Sequence, residues 1–368
     1  MEVKGVIPHI SLELGKDLLD LMDDSKELSK RFINKLDIFC GASCIKELGF
    51  WVSPIVIKAN LELEKNMYVI KINDKELGHG RVYLDKFLVI GPESVLKKII
   101  ENLEIEEIII EEPVYNLPAM WLEDKYNIYL VEKEGVMVFD SISVIGMHLY
   151  EIIRSNLNMT VEFLTPLVVR TLINKKFNFS SKIFYKLFPE LRLFSLNELT
   201  EILRNLVREG IPIKNLDLIL GYVAEGLRYT KNIDLLTDYV RSKLALYISD
   251  MLARNKVIYV AEVKPTLEDI IWENLKKNNF DITNFLDSEI CKNLLVSVKE
   301  FVEYAKSKNY LSKDYLPVIM TCFLGLRIYF KRIIEKEFPN VYVISYSEVF
   351  RGYKVEKIWT IDVNRDFK

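Results

Sequence analysis

The chain has 368 residues, of which half are hydrophobic and 28% are charged, a balance typical of globular proteins and unlike that of disordered or fibrous chains. At this length we expect roughly two to four domains. The 50 Lys and Arg nearly balance the 53 Asp and Glu, for a net charge of −3, so no broad cationic surface is expected to bind nucleic acid.

The sequence lacks the usual signals for secretion or membrane insertion. The N-terminus has no apolar run followed by a small-residue cleavage site. The longest apolar stretch, Tyr315–Phe330, contains Arg327 and is shorter than the roughly 18 to 20 apolar residues of a membrane-spanning helix. The four cysteines are too few for a disulfide framework and fit a reducing cytosol. We therefore expect a soluble, cytoplasmic chain.

The first part of the chain mixes one helix with several strands. Apolar residues at helical spacing predict an amphipathic helix over 14–36, and a second helix over 95–103. Strands are predicted over 55–59, 67–72, 87–90, 105–110 and 119–122. Asn73-Asp74, together with Gly78 and Gly80, supplies turn residues after the second of these strands. This alternation predicts small α/β or α+β units from about 51 to 140.

A helical region follows. Helices are predicted over Ser141–Arg154, Thr160–Lys175, Ile183–Phe188, Ser195–Arg208, Asn215–Leu227 and Asn232–Leu252. Ser195 and Glu198 have the spacing of a capping box, and Ile211-Pro212 predicts a break.

After residue 255 the pattern returns to alternating strands and helices. Strands are predicted over Lys256–Val260, Leu316–Met320, Val341–Ile344 and Val355–Ile361. Helices are predicted over Thr266–Lys277, Leu286–Ser307 and Gly325–Phe338. This order predicts a small βαβ-type domain with a partly parallel sheet.

Motifs that carry chemistry are missing. The sequence contains no phosphate-binding loop, no His-Glu-x-x-His and no Gly-x-Ser-x-Gly, and Gly78-His-Gly80 falls short of a dinucleotide fingerprint. Cys40 and Cys44 lack zinc-site spacing, and the three histidines are dispersed. We therefore expect no catalytic residue, cofactor or metal, and no enzymatic activity. The alternative is a soluble enzyme that uses the C-terminal α/β unit as its ligand domain.

Several segments in a fixed order resemble the cytoplasmic domain of the type III secretion export-gate family, the FlhA proteins of flagella and the SctV proteins of injectisomes. The resemblance covers about 6 to 361. It is carried by Glu47–Leu61, Glu112–Leu122, Phe188–Leu191, Leu199–Leu216, Leu236–Leu244, Pro317–Met320, Leu326-Arg327 and Val343–Glu348.

The resemblance implies a multidomain α/β and α+β fold with four parts. A first α/β unit, 1–80 completed by 124–157, is interrupted by an inserted α+β unit of ferredoxin or RRM type at 81–123. A helical subdomain over 158–254 and a C-terminal α/β subdomain over 255–368 follow.

The resemblance also implies a function. Such a protein forms a cytosolic docking and gating ring, commonly a homo-nonamer, beneath the inner-membrane export channel, and it binds chaperones with cargo, gatekeepers and other export-apparatus proteins. A membrane-spanning half precedes this region in the family, so membrane contact is expected only through that half. Ile145–Leu149 departs from the flagellar pattern, and Arg241–Ser249 resembles injectisome members, so we favour the injectisome branch and keep the flagellar one as the alternative.

Two sets of residues are predicted sites. Partner docking is expected at Glu112, Pro113, Tyr115 and Met147, with Tyr115 as an aromatic anchor and Glu112 pairing with a basic partner residue. Candidates for the ring interface are charged residues of the helical region: Arg204, Arg208, Glu225, Arg228, Asp234 and Arg241.

Overall fold

The computed structural model describes residues 9–126, 135–177, 188–312, 316–322 and 324–363. The chain divides into two compact units. Unit 1 comprises residues 1–173 and 212–215, and unit 2 comprises 174–211 and 216–368. The finer division into four parts stays a prediction.

Unit 1 begins with a mixed sheet. Its strands are β1 (Ile10–Leu14), β2 (Ile55–Ala59), β3 (Met67–Ile72) and β4 (Lys75–Arg81), in the order β2-β1-β3-β4. Strand β1 is parallel to β2 and antiparallel to β3. The helix predicted over 14–36 is therefore wrong at its start, because Leu14 ends a buried strand.

The turn predicted after β3 is shorter than expected. Only Asn73 and Asp74 form it, with φ of 49° and 62°, as a tight hairpin turn requires. Gly78 and Gly80 instead lie inside β4, opposite Ile70 and Tyr68. Glycine is needed there because an added Cβ would lie 2.8 Å from His148 Nε2 at Gly78 and 2.6 Å from the Tyr68 hydroxyl at Gly80. These glycines admit neighbouring side chains and make no turn.

The second sheet of unit 1 is antiparallel and carries the candidate site. Its strands are β5 (Lys86–Ile90), β6 (Ile110–Glu111), β7 (Pro118–Glu123) and β8 (Met137–Asp140), in the order β6-β7-β5-β8. This is the strand order of a split-βαβ, ferredoxin-like sheet. The sheet continues past the predicted boundary at 123, since β8 pairs with β5. Helix α3 (Glu93–Leu103) covers one face of the sheet, packing Leu96 and Ile99 against its core.

The remaining helices of unit 1 flank these sheets. They are α1 (Glu27–Leu36), a π-helical stretch Asp37–Ser43, α2 (Cys44–Glu47), α4 (Ser141–Ser155), α5 (Leu157–Thr160) and α6 (Pro166–Lys176), whose last residues are assigned to unit 2. Single 3₁₀ turns occur at Lys16–Met22, Asp124–Tyr126 and Val161–Phe163.

Unit 2 opens with helices. They are a 3₁₀ turn at Pro189–Leu193, α7 (Leu196–Arg208), α8 (Leu216–Gly226), α9 (Ile233–Lys243) and α10 (Ala245–Leu252). The capping box of Ser195 and Glu198 is confirmed. The single helix predicted over 232–252 is divided at Leu244. The helix predicted over 183–188 lies, apart from Phe188, outside the described residues.

The rest of unit 2 is a parallel sheet with helices. Strands β9 (Val257–Val263), β10 (Val318–Thr321), β11 (Tyr342–Ser345) and β12 (Lys354–Ile361) have the order β11-β10-β9-β12, and every described pairing is parallel. The helices are α11 (Pro265–Lys277), α12 (Thr283–Leu286), α13 (Glu289–Ser307) and α14 (Leu324–Ile334), with a 3₁₀ turn at Tyr346–Glu348. The predicted α/β class is confirmed, with a fully parallel sheet where a partly parallel one was expected. A core of aliphatic and aromatic residues packs the sheet against these helices.

Candidate partner-docking site

The loop between β6 and β7 is held by one buried carboxylate. Glu112 is fully buried and accepts the backbone amides of Val114, Tyr115 and Leu117 at 2.6, 2.8 and 3.1 Å. Its own amide donates to the Leu117 carbonyl at 2.9 Å. Glu112 thus replaces the hydrogen bonds that the loop amides would otherwise make with water. The predicted pairing of Glu112 with a basic partner residue does not fit this geometry, because the carboxylate is enclosed by its own loop.

This anchored loop presents Tyr115 to solvent. The Tyr115 side chain is 58% exposed, and its hydroxyl donates to Glu151 Oε2 at 3.2 Å. Partial burial and the Glu151 carboxylate raise the pKa of Tyr115, so the phenol remains protonated and can donate at neutral pH. Tyr115 therefore offers an open aromatic face while its hydroxyl is tied to α4.

Met147 lies on the same stretch of α4. It precedes Glu151 by four residues, so the two side chains share one face of the helix, and Met147 is half-buried. The hydrogen bond from Tyr115 to Glu151 therefore places the Tyr115 hydroxyl at the face of α4 that carries Met147. Glu151 was not among the residues predicted from the sequence, because a glutamate in an amphipathic helix has the pattern of an ordinary surface charge. Its spacing from Met147 was the available signal.

Helix α4 is positioned by its cap and by one buried histidine. Asp140 accepts the amide of Ser143 at 2.8 Å, a typical N-cap. His148 Nδ1 lies 2.8 Å from the Tyr68 hydroxyl, and burial lowers the pKa of His148 to about 4. A neutral His148 therefore links α4 to β3 of the first sheet. His148 is thus a buried packing residue with a hydrogen bond to Tyr68.

The ring-interface candidates of the helical region fall into two groups. Five lie at the surface or are partly exposed, and several pair within the chain: Arg208 donates to Asn205 at 2.6 Å, Glu225 accepts from Lys243 at 2.9 Å, Arg228 donates to Glu190 at 2.6 Å, and Asp234 accepts from Arg332 at 2.6 and 2.8 Å. Arg204 lies 3.8 Å from Glu201.

Arg241 is the exception. Only 3% of its side chain is exposed, and it pairs with Glu348 and with Glu209, the latter at 3.3 Å. The prediction that it faces a neighbouring subunit is corrected, because the charge is already compensated inside unit 2. A sequence pattern of mixed charge does not distinguish such a buried pair from a solvated surface.

Arg241 belongs to a buried ionic cluster, which we define as Glu209, Asp238, Arg241, Arg327 and Glu348. Arg327 binds Glu209 through two nitrogens and Asp238 through Nε at 2.8 Å. Burial raises the pKa of Glu209, but Arg241 and Arg327 outweigh it and lower the pKa to about 2. The cluster joins α7, α9, α14 and the turn after β11 within unit 2, and was not predicted as a group.

The alternative prediction was an enzyme with the C-terminal α/β unit as its ligand domain, and ligands of parallel sheets bind at the carboxyl edge. The loop after β9 contains Lys264-Pro265 and no glycine. The Glu268 carboxylate accepts the amide of Cys322 at 2.7 Å, and Lys264 pairs with Asp362 at 2.5 Å. The first turn of α11 therefore carries a buried carboxylate and follows a loop without glycine, whereas phosphate sites at such edges use a glycine-rich loop and free helix amides.

The described residues form neither a metal-binding cluster nor a membrane-spanning helix. Among them, no group of three or more His, Cys, Asp or Glu side chains is arranged to hold a metal ion. In the same part of the chain, no helix is both long and apolar enough to cross a bilayer. Cys40 and Cys44 are buried free thiols, and burial raises the pKa of each, that of Cys44 to about 12.

Solved structures share this architecture. The Chlamydia pneumoniae CdsV protein is 25% identical and superposes with a TM-score of 0.74, covering 98% of this chain and 99% of that one. In a structure of the Chlamydia pneumoniae CdsV and CdsO protein complex, the matching chain is 25% identical and has a TM-score of 0.70. The match covers 96% of this chain and 97% of that one. The nonameric EscV cytosolic domain from the type III secretion system is 17% identical and has a TM-score of 0.61, covering 99% of this chain and 100% of that one. At this identity the likeness shows the fold alone.

Sequence comparison gives the same relationship. The flagellar biosynthesis protein FlhA of Borreliella burgdorferi is 27% identical over 98% of this chain, and that of Bacillus subtilis is 26% identical over 98%. The chain spans about half the length of these curated relatives, 49% and 48%. The FHIPEP family profile matches residues 2–354. The chain therefore belongs to the FHIPEP family.

Proposed function

We propose that this chain is a docking and gating component of a type III export apparatus, which receives chaperone-bound cargo and gatekeeper proteins and passes substrates to a membrane channel. Family membership supports the general role. The docking role is supported by the exposure of the Tyr115 side chain on a loop whose backbone is fixed by Glu112. A rigid aromatic side chain on a fixed loop loses little conformational entropy when a partner covers it, as in binding hot spots.

The docking surface is defined here as Pro113, Tyr115, Met147 and Glu151. Tyr115 and Met147 provide apolar contact, Pro113 restricts the loop backbone, and the Glu151 carboxylate provides the acceptor and negative charge first assigned to Glu112. Arg154 donates to Glu151 at 3.2 and 3.3 Å, so a basic partner residue would compete with Arg154 for this carboxylate. Glu112 is kept in the proposal as the residue that positions Tyr115.

We propose ring assembly for the same chain, with nine copies as in the nonameric EscV domain. The surface charges Arg204, Arg208, Glu225, Arg228 and Asp234 are the proposed contact residues. Exposed pairs contribute little each, about 0 to 1 kcal/mol, so isolated copies need not associate. Copies held on one membrane share a high local concentration, and weak contacts then suffice to close a ring.

The injectisome branch remains our preferred assignment, and the flagellar branch the alternative. The solved structures with the higher TM-scores reported above are CdsV structures, whereas the curated sequence relatives are FlhA proteins, so the choice depends on the system in which this chain works. Deleting its gene and measuring both motility and effector secretion separates the two. The enzyme alternative has less support, because the segment after β9 has no glycine-rich loop and the first turn of α11 carries the buried Glu268 carboxylate.

The docking proposal is tested by measuring affinity for chaperone–cargo complexes from the same organism. Tyr115→Ala is expected to weaken binding by roughly tenfold or more, as at a binding hot spot. Tyr115→Phe keeps the aromatic ring and removes only the hydrogen bond to Glu151, so it serves as the matched control. Its loss of affinity should be much smaller than that of Tyr115→Ala. Circular dichroism and thermal melting confirm that each variant folds. Unchanged affinity in Tyr115→Ala would place docking elsewhere.

Ring assembly is tested separately by attaching the chain to lipid vesicles and imaging it by electron microscopy. We expect closed rings on the vesicles and mostly monomers at the same bulk concentration without lipid. Reversing one charge, as in Arg228→Glu, should reduce ring formation, whereas Lys299→Glu on α13, outside the proposed contacts, should not. Monomers alone at high surface density would contradict the proposal.

A further inference from the structure

Strand β6 is an edge strand of the second sheet in unit 1. The strand order β6-β7-β5-β8 places β6 at one end, and among the described residues no other strand pairs with its outer side. Burial alternates between half-buried and exposed residues from 105 to 110, as in an extended chain. The strand edge therefore includes the residues that lead into β6. We define the β6 edge as residues 105–111.

The backbone of Glu111 points away from the sheet. The amide of its neighbour Glu112 donates to the carbonyl of Leu117, which directly precedes β7, and backbone groups alternate in direction along a strand. Glu111 itself lies opposite Pro118, which has no amide hydrogen and whose carbonyl accepts from Gly91 on the other side. Two independent contacts thus leave the Glu111 amide and carbonyl directed to the open side.

The side chains beside this edge are apolar and acidic. Ile108 is 78% exposed and Ile110 is 38% exposed, and alternation places both on one face of the strand, opposite Ile109, which packs on the core below α3. Glu106 and Glu111 are exposed, and Glu107 is paired with Lys86 at 3.1 Å. From residue 99 to residue 124 the sequence contains no Lys or Arg.

We propose that the β6 edge binds an extended basic segment of a partner protein, which adds to the sheet as a further strand. The backbone of the segment would pair with the outward amide and carbonyl of Glu111, and its apolar side chains would cover Ile108 and Ile110. Its lysine or arginine side chains, on the opposite face of the added strand, would meet Glu111. This is strand addition, in which main-chain hydrogen bonds give affinity and alternate side chains give specificity.

The charges decide which occupant fits. A second copy of this chain would bring an identical row of glutamates to the same edge, and like charges across a strand pair are destabilising. An acidic or neutral apolar segment would gain no ion pairs. A basic segment pairs with Glu111 on one face and covers the isoleucines on the other, so charge complementarity favours it.

The test uses the full chain and a synthetic peptide of about eight residues that alternates lysine and valine, the minimal form of the proposed segment. Affinity is measured by fluorescence anisotropy, and hydrogen exchange is followed at the amides of residues 108–111. We expect saturable binding and slower exchange at Glu111. The same peptide with glutamate in place of lysine should bind roughly tenfold more weakly or not at all.

Two comparisons separate strand addition from charge attraction alone. A lysine–valine peptide methylated on alternate backbone nitrogens keeps its charge but loses its donors, and should bind roughly tenfold more weakly. In the protein, Glu111→Pro removes the outward amide, and an edge strand tolerates this proline. Its peptide affinity is compared with that of Glu111→Gln, which removes only the charge. Equal binding of the methylated and unmethylated peptides, or no protection at Glu111, would overturn the proposal.

Discussion

Arg327 binds Glu209 through two nitrogens although 118 residues separate them in the sequence, with Nη2 3.1 Å from Oε1. The Arg327 side chain is fully buried and also reaches Asp238. Removing one partner of a buried pair leaves the others uncompensated. Arg327→Met is therefore expected to lower the free energy of unfolding by about 3 to 5 kcal/mol, as measured by urea denaturation.

The matched control for this prediction is Arg332→Met. Arg332 makes the same bidentate contact with Asp234, but 35% of its side chain is exposed. Solvent screens such a pair, so the expected loss is about 1 kcal/mol or less. Equal losses in the two variants would contradict the view that burial makes the cluster important.

Stability should fall in mild acid because of His148. Its pKa in the folded chain is lowered to about 4, mainly by burial, whereas the unfolded value is about 6.5. Between these values the unfolded chain binds the extra proton, so stability rises with pH and is lost as pH falls from about 6.5 to about 4. His148→Gln should lose this dependence, which unfolding curves at several pH values will detect. A variant with the same pH slope as the parent would exclude His148 as the source.

Two glycines should respond in opposite ways to alanine. An added Cβ at Gly80 would lie 2.6 Å from the Tyr68 hydroxyl, whereas at Gly41 nothing lies within 4 Å. Gly80→Ala should therefore destabilise the chain by about 1 to 3 kcal/mol, and Tyr68→Phe should restore part of the loss by removing the oxygen. Gly41 is helical, so Gly41→Ala should be neutral or stabilising by up to about 1 kcal/mol. Melting temperatures of the single and double variants test both signs.

Glu112 should control the loop without touching a partner. Glu112→Ala leaves three amides without their acceptor, so hydrogen exchange at Val114, Tyr115 and Leu117 should accelerate. Glu112→Gln retains one acceptor oxygen and should show an intermediate effect. If exchange is unchanged in Glu112→Ala while partner affinity falls, the carboxylate acts directly on the partner and its positioning role is wrong.

Local patterns predicted elements whose stabilising contacts are also local. The Ser195–Glu198 cap was readable because both of its hydrogen bonds lie within four residues, and the β9–β12 strands were readable from their apolar runs. Strand β1 and the glycines of β4 were misassigned because distant residues decide them. Leu14 pairs with Ala59 and Tyr68, and Gly80 is required by the Tyr68 side chain.

The same reason limits prediction of the site. Tyr115 and Met147 were selected through the family resemblance, and the structure adds that Glu151 links their two elements. Burial of Glu112 and Arg241 could not be inferred from residue type, because charged residues are rarely buried unless a partner far along the chain compensates them. Such partners are identified only from the three-dimensional structure.

The pairing of β9 with β12 also determines when unit 2 can be completed during synthesis. Val257 pairs with Lys354, and Val263 pairs with Ile361, so β9 leaves the ribosome long before its neighbour exists. Until then β9 presents an unpaired apolar edge, which is the kind of surface that chaperones bind and that aggregates at high concentration. Any chain shortened before Lys354 would keep that edge exposed permanently.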